Sequence, residues 1–275
     1  MVPHPDSSGR VFLSSQEGKI FLASMPRRGS GVALRVDNGR AHPFLDLTDR
    51  MLGLLGIAFH PDFATNGRFF VSYSCDCSTS PGCSAVRCWV AAPGNSSLSC
   101  RYQLIVAEFS AKGSPNYSKI LFRPSGSDGY LYLITGHGDF SKNGRSFLGK
   151  ILRFDVDRML KGGSHGTPKM GKPEIFSMGV NNPSGCSFDV DRPLHLYCAD
   201  VDKHYQERVY LITNGGNHGS PSKADASLFI NHGHPMDGSM PSIVGGLMYR
   251  GSADPSLYGR YGDILHSTSA MTANK

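Results

Sequence analysis

Most of the chain consists of short stretches in which apolar and polar side chains alternate. Turns separate these stretches. Tyrosine and leucine alternate over Tyr130–Leu133, for example. A period of two predicts β-strands that turn one face toward a core. The chain's 33 glycines and 17 prolines are spread over its whole length, which suits many short strands joined by turns. No amphipathic pattern indicates a helix longer than a couple of turns, so the sequence predicts an all-β fold.

One unit recurs along the chain: an apolar strand, a turn rich in proline, aspartate or glycine, and then an aromatic-rich strand. Its clearest copy begins at Gly56-Ile-Ala-Phe-His-Pro-Asp and continues at Asn66-Gly-Arg-Phe-Phe-Val-Ser-Tyr. Further copies begin at Ile120 and Gly185, and His4-Pro-Asp is a short echo of His60-Pro-Asp. The copies recur about every sixty residues, which fits a four-stranded propeller blade with long connections.

The number of repeats sets the expected domain organisation. A segment from Gly245 resembles the start of a fifth unit, so the chain contains four units and part of a fifth. We therefore expect a partial β-propeller over residues 1–265 and an unstructured tail over 266–275. A closed ring removes exposed sheet edges, so a fragment, a splice variant and a truncated gene model all stay open. A compact closure with fewer blades is less favoured. Residues 158–173 are rich in glycine, lysine and proline and predict a surface loop.

Composition narrows the functional classes. Apolar residues make up 39% of the chain, enough to bury a core. The formal charge is +6, but the basic residues are dispersed, which argues against a nucleic-acid partner. No segment approaches the roughly 20 apolar residues that span a bilayer. The first 25 residues contain no continuous apolar stretch, so we expect no signal peptide in the chain as written.

The cysteines indicate an oxidising compartment. Five of the seven lie between Cys75 and Cys100, and the other two, Cys186 and Cys198, flank one hairpin-like segment. Dense local cysteines favour disulfides over a zinc site, because the paired spacing of common zinc modules is missing. We predict a Cys186–Cys198 disulfide, and the odd count leaves one thiol over.

Two N-glycosylation triplets begin at Asn95 and Asn116 and are meaningful if the chain is secreted. Such triplets also arise by chance. They therefore agree with the oxidising compartment that the cysteines indicate but add little to it.

Five phrases, in the order expected, resemble the glucose/sorbosone dehydrogenase family: Gly53-Leu-Leu-Gly-Ile-Ala-Phe-His-Pro-Asp-Phe, Leu148-Gly-Lys-Ile-Leu-Arg-Phe-Asp-Val-Asp, Pro173-Glu-Ile-Phe-Ser-Met-Gly-Val-Asn-Asn-Pro, Gly215-Gly-Asn-His-Gly and Gly245-Gly-Leu-Met-Tyr-Arg-Gly. The resemblance implies a β-propeller of the six-bladed quinoprotein glucose dehydrogenase type, with about four to five blades present. The cysteine pattern is similar to the plant-type hedgehog-interacting-protein-like branch. That similarity implies a secreted or cell-surface parent protein.

The resemblance also implies where catalytic residues belong. Bacterial relatives oxidise sugars with pyrroloquinoline quinone (PQQ) and calcium, and the reaction needs a general base. The family's histidine is expected just before the strand at Ile120, where residues 114–119 contain none. His137 stands where the family usually has an aspartate, and Asp139 follows two residues later. His137 and Asp139 are thus the catalytic candidates, although a plain loop histidine is favoured.

Cofactor and metal candidates follow in the same way. Asn181 and Asn182 stand where the enzymes have arginine and then asparagine, so a cation that would meet a cofactor carboxylate is replaced. Turn formation before a proline explains the two asparagines equally well. Asp200 and Asp202 lie near the family's calcium-binding turn, and carboxylates suit calcium.

The other histidine motifs do not require a catalytic or metal-binding role. The repeat of His-Pro-Asp favours a structural turn for His60 and Asp62 over a catalytic pair. His232-Gly-His234, with His218 and Asp237 nearby in sequence, falls short of a full transition-metal ligand set.

The sequence therefore predicts an extracellular propeller that binds a protein, glycan or sugar and has a degenerate catalytic site. The alternative is a PQQ- and calcium-dependent oxidoreductase that acts on the CH–OH group of aldose sugars. A fragment that never folds is a third hypothesis.

Overall fold

The computed structural model describes residues 1–27, 29–37, 42–50, 53–74, 84–90, 104–109, 118–124, 128–136, 147–161, 172–201, 206–219, 227–233 and 243–265. These residues are mostly strands. The chain divides into two compact units: residues 1–114 with 155–171, and residues 115–154 with 172–275. The predicted tail at 266–275 lies outside the described residues.

The first unit contains two sheets. One has the order β1-β2-β3-β4, with β5 also paired to β3, and the other has the order β6-β7-β8-β9. Their strands are β1 (Val2–Pro3), β2 (Arg10–Ser14), β3 (Lys19–Ser24), β4 (Arg35–Val36), β5 (Leu45–Asp46), β6 (Gly53–Phe59), β7 (Arg68–Ser74), β8 (Ser84–Val90) and β9 (Leu104–Phe109). A 3₁₀ turn covers Thr48–Arg50, and the short helix α1 (Phe63–Asn66) lies between β6 and β7.

The second unit contains three sheets, with the orders β10-β11-β12-β13-β17, β14-β15-β16-β18 and β19-β20. β17 pairs in parallel with β13. The strands are β10 (Ser118–Phe122), β11 (Tyr130–Thr135), β12 (Lys150–Asp155), β13 (Glu174–Met178), β14 (Pro183–Phe188), β15 (Leu196–Val201), β16 (Gln206–Ile212), β17 (Gly216–Asn217), β18 (Leu228–Gly233), β19 (Ile243–Met248) and β20 (Tyr261–Leu265). A 3₁₀ turn covers Pro255–Leu257.

The five sheets follow the five sequence repeats. Among the described residues, each repeat supplies one sheet, except that β17 of the fourth repeat pairs with β13 of the third. The two-stranded β19-β20 sheet contains the fifth copy. Each unit contains buried apolar side chains. Phe12, Ile20 and Phe69 are fully buried in the first unit, and Tyr132 and Tyr210 are fully buried in the second.

The prediction of a surface loop over residues 158–173 was wrong for residues 158–161. Residues Val156–Lys161 form a helix, α2. Val156 is completely buried, and the Asp155 Oδ1 atom accepts the backbone N–H of Arg158 at 2.9 Å, as a helix N-cap does. Burial and capping thus overcame the weak helical signal of the sequence. The rest of that stretch, up to residue 171, lies outside the described residues.

Three hairpin corners use the same local hydrogen bond. The residue that follows the first strand of the sheet accepts the backbone N–H of the residue two positions later, as in an Asx turn. The three pairs are His4 Nδ1 with Asp6 N–H at 3.2 Å, His60 Nδ1 with Asp62 N–H at 3.0 Å, and Asp189 Oδ1 with Asp191 N–H at 3.0 Å. His-Pro-Asp therefore forms a turn in both places, as the sequence repeat favours.

The Cys186–Cys198 disulfide that the sequence predicts is present in the structure. The two residues face each other directly on β14 and β15, with Cα atoms 4.1 Å apart. Both are buried in the same core as Tyr132 and Phe176. The cysteines at 75, 77, 83 and 100 lie outside the described residues, as does the side chain of Cys88.

Candidate functional site

The candidate site lies in the second unit, where β13 leads into β14. A four-residue turn, Gly179–Asn182, connects the two strands. Pro183 at the start of β14 is paired with Asp200 on β15. This end of the sheet therefore brings together three residues that the sequence singled out: Asn181, Asn182 and Asp200.

Asp200 binds the backbone of that turn. Its Oδ1 atom accepts the N–H of Asn182 at 2.6 Å, and both carboxylate oxygens lie within 3.1 Å of the N–H of Asn181. The Asn181 side chain also donates a hydrogen bond to this carboxylate. Asp200 is only 1% exposed, so its oxygens face the turn and not solvent. The arrangement fixes the conformation of both asparagines.

The electrostatics of Asp200 reflect two opposing effects. Burial raises the pKa of the Asp200 carboxyl, because removal from water disfavours the charged form. The amide donors of Asn181 and Asn182 and the positive charge of Arg208 lower the same pKa, but by less than burial raises it. Arg208 lies directly across from Asp200 on β16, and its guanidinium also donates to the Gln206 side chain.

A second segment packs closely against the turn. Gly179 has φ of +90°, and a Cβ atom there would lie 2.1 Å from the backbone nitrogen of Gly219. The N–H of His218 donates to the carbonyl of Met178 at 2.9 Å, and its Nδ1 lies 3.0 Å from the Ser227 hydroxyl. His218 is buried, so its role here is to pack against the turn. Only glycine fits at position 179.

The neighbouring sheet adds two buried polar residues that the sequence analysis missed. Thr135 ends β11 and Lys150 begins β12. The Thr135 hydroxyl accepts the N–H of Lys150 at 3.2 Å and lies 3.0 Å from the Phe147 carbonyl. The Lys150 ammonium is fully buried and donates to the Leu148 carbonyl at 3.3 Å. Burial lowers the pKa of Lys150.

Several predicted residues lie outside the described part of the chain. They are the catalytic candidates His137 and Asp139, the metal candidate Asp202, the glycosylation candidates Asn95 and Asn116, and His234 and Asp237. His232 lies on β18, but its side chain is outside the description. Within the described ranges, no group of three histidine, cysteine or acidic side chains has metal-binding geometry. The same ranges contain no helix long and apolar enough to cross a membrane.

The described residues of the turn do not fit the quinone cofactor that the family resemblance implies. A quinone carboxylate needs an accessible cation. Two basic side chains of the described residues lie on strands that pair beside this turn: Lys150, which is fully buried, and Arg208, which is half-buried and faces Asp200 and Gln206. Asp200 itself is negative when ionised and is bound to backbone amides. Within residues 179–182 the turn therefore presents amide groups and no basic side chain.

Comparison with solved structures identifies the fold. The PQQ-bound aldose sugar dehydrogenase from Streptomyces coelicolor matches with a TM-score of 0.62 and 20% identity, over 98% of this chain and 78% of that chain. The apo-form of the soluble aldose sugar dehydrogenase from Escherichia coli matches with a TM-score of 0.62 and 18% identity, over 96% of this chain and 84% of that chain. The fold is therefore an all-β propeller of the glucose dehydrogenase type, as predicted.

Sequence comparison identifies relatives. The HIPL2 protein of Arabidopsis thaliana is 37% identical over 350 aligned residues, which include 95% of this chain and 49% of that protein. The human Hedgehog-interacting protein is 28% identical, over 93% of this chain and 39% of that protein. The chain thus spans about half or less of the length of these curated relatives. The alignment with HIPL2 is longer than the 275 residues of the chain, so HIPL2 has residues inside it that this chain lacks.

The match to a family model agrees with both comparisons. The Glucose / Sorbosone dehydrogenase model matches residues 1–256. The five phrases of the sequence, the propeller sheets and the relatives agree over nearly the whole chain. This protein therefore belongs to the glucose/sorbosone dehydrogenase family.

Proposed function

We propose that this protein is an extracellular binding module, in which the propeller scaffold is kept and the sugar-oxidising chemistry is lost. Its relatives include a protein named for its interaction with Hedgehog. By analogy, the ligand of this chain is an extracellular protein, and a glycan or sugar is the second possibility. The fold alone does not identify the ligand or the function, because propellers serve many functions.

One observation carries the proposal. At the β13–β14 turn, Asn181 stands where the family enzymes have arginine, and its amide groups are bound to the buried Asp200. A neutral amide cannot replace the guanidinium, because a charge-assisted hydrogen bond is about twice as strong as a neutral one. The absence of a histidine from residues 114–119 supports the same conclusion from the sequence.

A second function is favoured by the fold comparison. The PQQ-bound sugar dehydrogenase from Streptomyces coelicolor covers 98% of this chain. Under this alternative, the protein oxidises the CH–OH group of aldose sugars with PQQ and calcium. His137 or Asp139 is then the base, and Asp200 and Asp202 hold calcium.

Turnover separates the two functions. The purified, oxidised protein is mixed with PQQ and calcium, and reduction of a redox dye is followed over a panel of aldoses. The E. coli aldose sugar dehydrogenase is the positive control. The binding-module proposal predicts no aldose-dependent reduction above the rate with heat-denatured protein. Saturable turnover of any aldose contradicts it and establishes the alternative.

The proposed location has its own test. The cysteine pattern and the resemblance to the hedgehog-interacting branch support an oxidising compartment, disulfide bonding and glycosylation at Asn95 and Asn116. Intact-mass analysis of protein purified from its native source measures glycan mass and free thiols. A protein without glycan and with all seven thiols reduced contradicts secretion.

A further inference from the structure

The corner between β6 and β7 in the first unit contains a buried histidine whose ring nitrogen accepts a hydrogen bond from the turn. His60 follows β6 directly and is 2% exposed. Its Nδ1 atom accepts the backbone N–H of Asp62 at 3.0 Å and lies 2.9 Å from the Asn66 side-chain nitrogen. A backbone N–H can only donate, so Nδ1 is unprotonated and the imidazole is neutral with its proton on Nε2.

The corner cannot adjust easily to a second proton on His60. A proton on Nδ1 would face the N–H of Asp62 and the side-chain NH₂ of Asn66. Rotation of the Asn66 amide would present its oxygen instead, but that oxygen accepts the N–H of Arg68 at 2.9 Å. Protonation therefore breaks at least one hydrogen bond of the turn whichever way Asn66 is oriented.

The other face of the imidazole points to helix α2. His60 Nε2 lies 3.4 Å from Asp157 Oδ1, and Arg68 Nη1 lies 2.6 Å from the same oxygen. The Asp62 carboxylate also lies near the ring, 4.0 Å from Nδ1. Burial and the charge of Arg68 lower the pKa of His60, and the two aspartates oppose this only in part. The corner and α2 thus share one polar contact centred on Asp157.

We propose that the His60 corner is an acid-sensitive latch that closes the β6–β7 turn. With a neutral imidazole, the β6–β7 turn is closed and Asp157 is held between His60 and Arg68. When His60 takes up a proton at Nδ1, the hydrogen bonds that Nδ1 accepts break and the turn opens. Asp157 favours the charged imidazole, so α2 keeps its contact with Arg68 and His60. The latch responds to the mildly acidic range in which an exposed histidine titrates.

The chain supplies its own control for this proposal. The equivalent corner of the β14–β15 hairpin uses Asp189, whose Oδ1 atom accepts the N–H of Asp191 in the same way. An oxygen acceptor therefore closes this kind of turn without an imidazole. His60→Asn keeps such an acceptor and removes the titrating group. His4→Asn makes the same change at the corner of β1 and β2.

Amide hydrogen exchange tests the latch. Protection is measured at pH 7.5 and 5.5, corrected for the intrinsic rate, for residues 60–68, with α2 as an internal reference. Opening coupled to one proton raises the opening constant about tenfold per pH unit below the open-state pKa of about 6.5. We therefore expect the wild type to lose about tenfold in protection at pH 5.5. His60→Asn loses none, and His4→Asn behaves as the wild type does.

Equal pH dependence in the wild type and in His60→Asn overturns the proposal, as does a wild type whose protection does not change. Nitrogen NMR of the imidazole gives an independent test that needs no variant. The latch requires the Nε2–H tautomer at pH 7.5, and a protonated Nδ1 in the closed corner contradicts it. Neither result depends on whether the protein has sugar dehydrogenase activity.

Discussion

Arg250 donates from Nε and Nη2 to the two carboxylate oxygens of Asp189, at 2.8 and 2.5 Å. Asp189 follows β14 and Arg250 follows β19, so this pair joins the corners of two sheets within the second unit. The Tyr258 hydroxyl donates to the carboxylate of Asp191, two residues after Asp189. Arg250 Nε lies 3.7 Å from the same carboxylate. These contacts attach the small β19-β20 sheet to the four-stranded β14-β15-β16-β18 sheet.

Asp189→Asn tests this attachment. Asparagine keeps the acceptor for the N–H of Asp191 but loses the charge, so we expect the free energy of unfolding to fall by about 2 kcal/mol. Urea denaturation at pH 7 measures it. A loss below about 0.5 kcal/mol, the size of an ordinary surface substitution, contradicts the assigned role.

The same pair predicts a pH dependence with a definite sign. The hydrogen bond from Arg250 lowers the pKa of Asp189 in the folded protein. The native state then binds fewer protons than the unfolded state, so the stabilisation is complete above the unfolded pKa of about 4. It is lost as the pH falls through the lower folded pKa. The stability difference between wild type and Asp189→Asn should shrink between pH 5 and pH 2, and a constant difference contradicts the linkage.

Asp200 should behave as a structural residue of the β13–β14 turn. Asp200→Ala leaves two buried backbone N–H groups without an acceptor, so we expect a loss of about 3 kcal/mol in unfolding free energy. Asp200→Asn keeps one acceptor oxygen and should lose less. Thermal melts with calcium or with a chelator complete the test. A large calcium-dependent shift in Tm that Asp200→Asn abolishes would favour a metal ligand instead.

Gly179 and Gly215 form a matched pair for the close contact beside the site. Both have positive φ, but a Cβ at Gly215 meets nothing within 4 Å, whereas one at Gly179 meets the Gly219 backbone at 2.1 Å. Gly215→Ala should cost about 1 kcal/mol from backbone conformation alone. Gly179→Ala should cost about 3 kcal/mol or more, because the backbone must move as well. Equal Tm values for the two variants would show that the contact is looser than described.

The disulfide offers a prediction about folding stability. Cys186 and Cys198 are 12 residues apart, so the closed loop is short. For a loop of this size the expected contribution is about 3 kcal/mol. The double variant Cys186→Ala, Cys198→Ala, compared with the oxidised protein in urea, measures this contribution. An unchanged midpoint contradicts it.

The sequence predicted the sheets well because the signals for hairpins are local. His4, His60 and Asp189 each follow the first strand of a repeat, and the structure places each at a sheet corner. Helix α2 was missed because its stability comes from the burial of Val156 and from contacts of Asp157, which sequence spacing does not reveal.

The site was predicted less completely than the fold. Asn181, Asn182 and Asp200 were all singled out, but nothing in the sequence indicates that Asp200 accepts the amides of the two asparagines. A carboxylate near a turn suits calcium and backbone N–H groups equally well, and only the three-dimensional pairing of β14 with β15 decides where its oxygens point. Thr135 and Lys150 were missed for the same reason.

Equilibrium binding of PQQ, measured by calorimetry with and without calcium, tests the central claim most directly. The protein must first be oxidised and shown to melt cooperatively, which also excludes a chain that never folds. The apo-form of the E. coli aldose sugar dehydrogenase serves as the positive control. Because Asn181 stands where the family resemblance implies an arginine, we predict no saturable heat under either condition. Saturable, calcium-dependent binding would contradict the loss of the cofactor site and would support the PQQ-dependent oxidoreductase alternative.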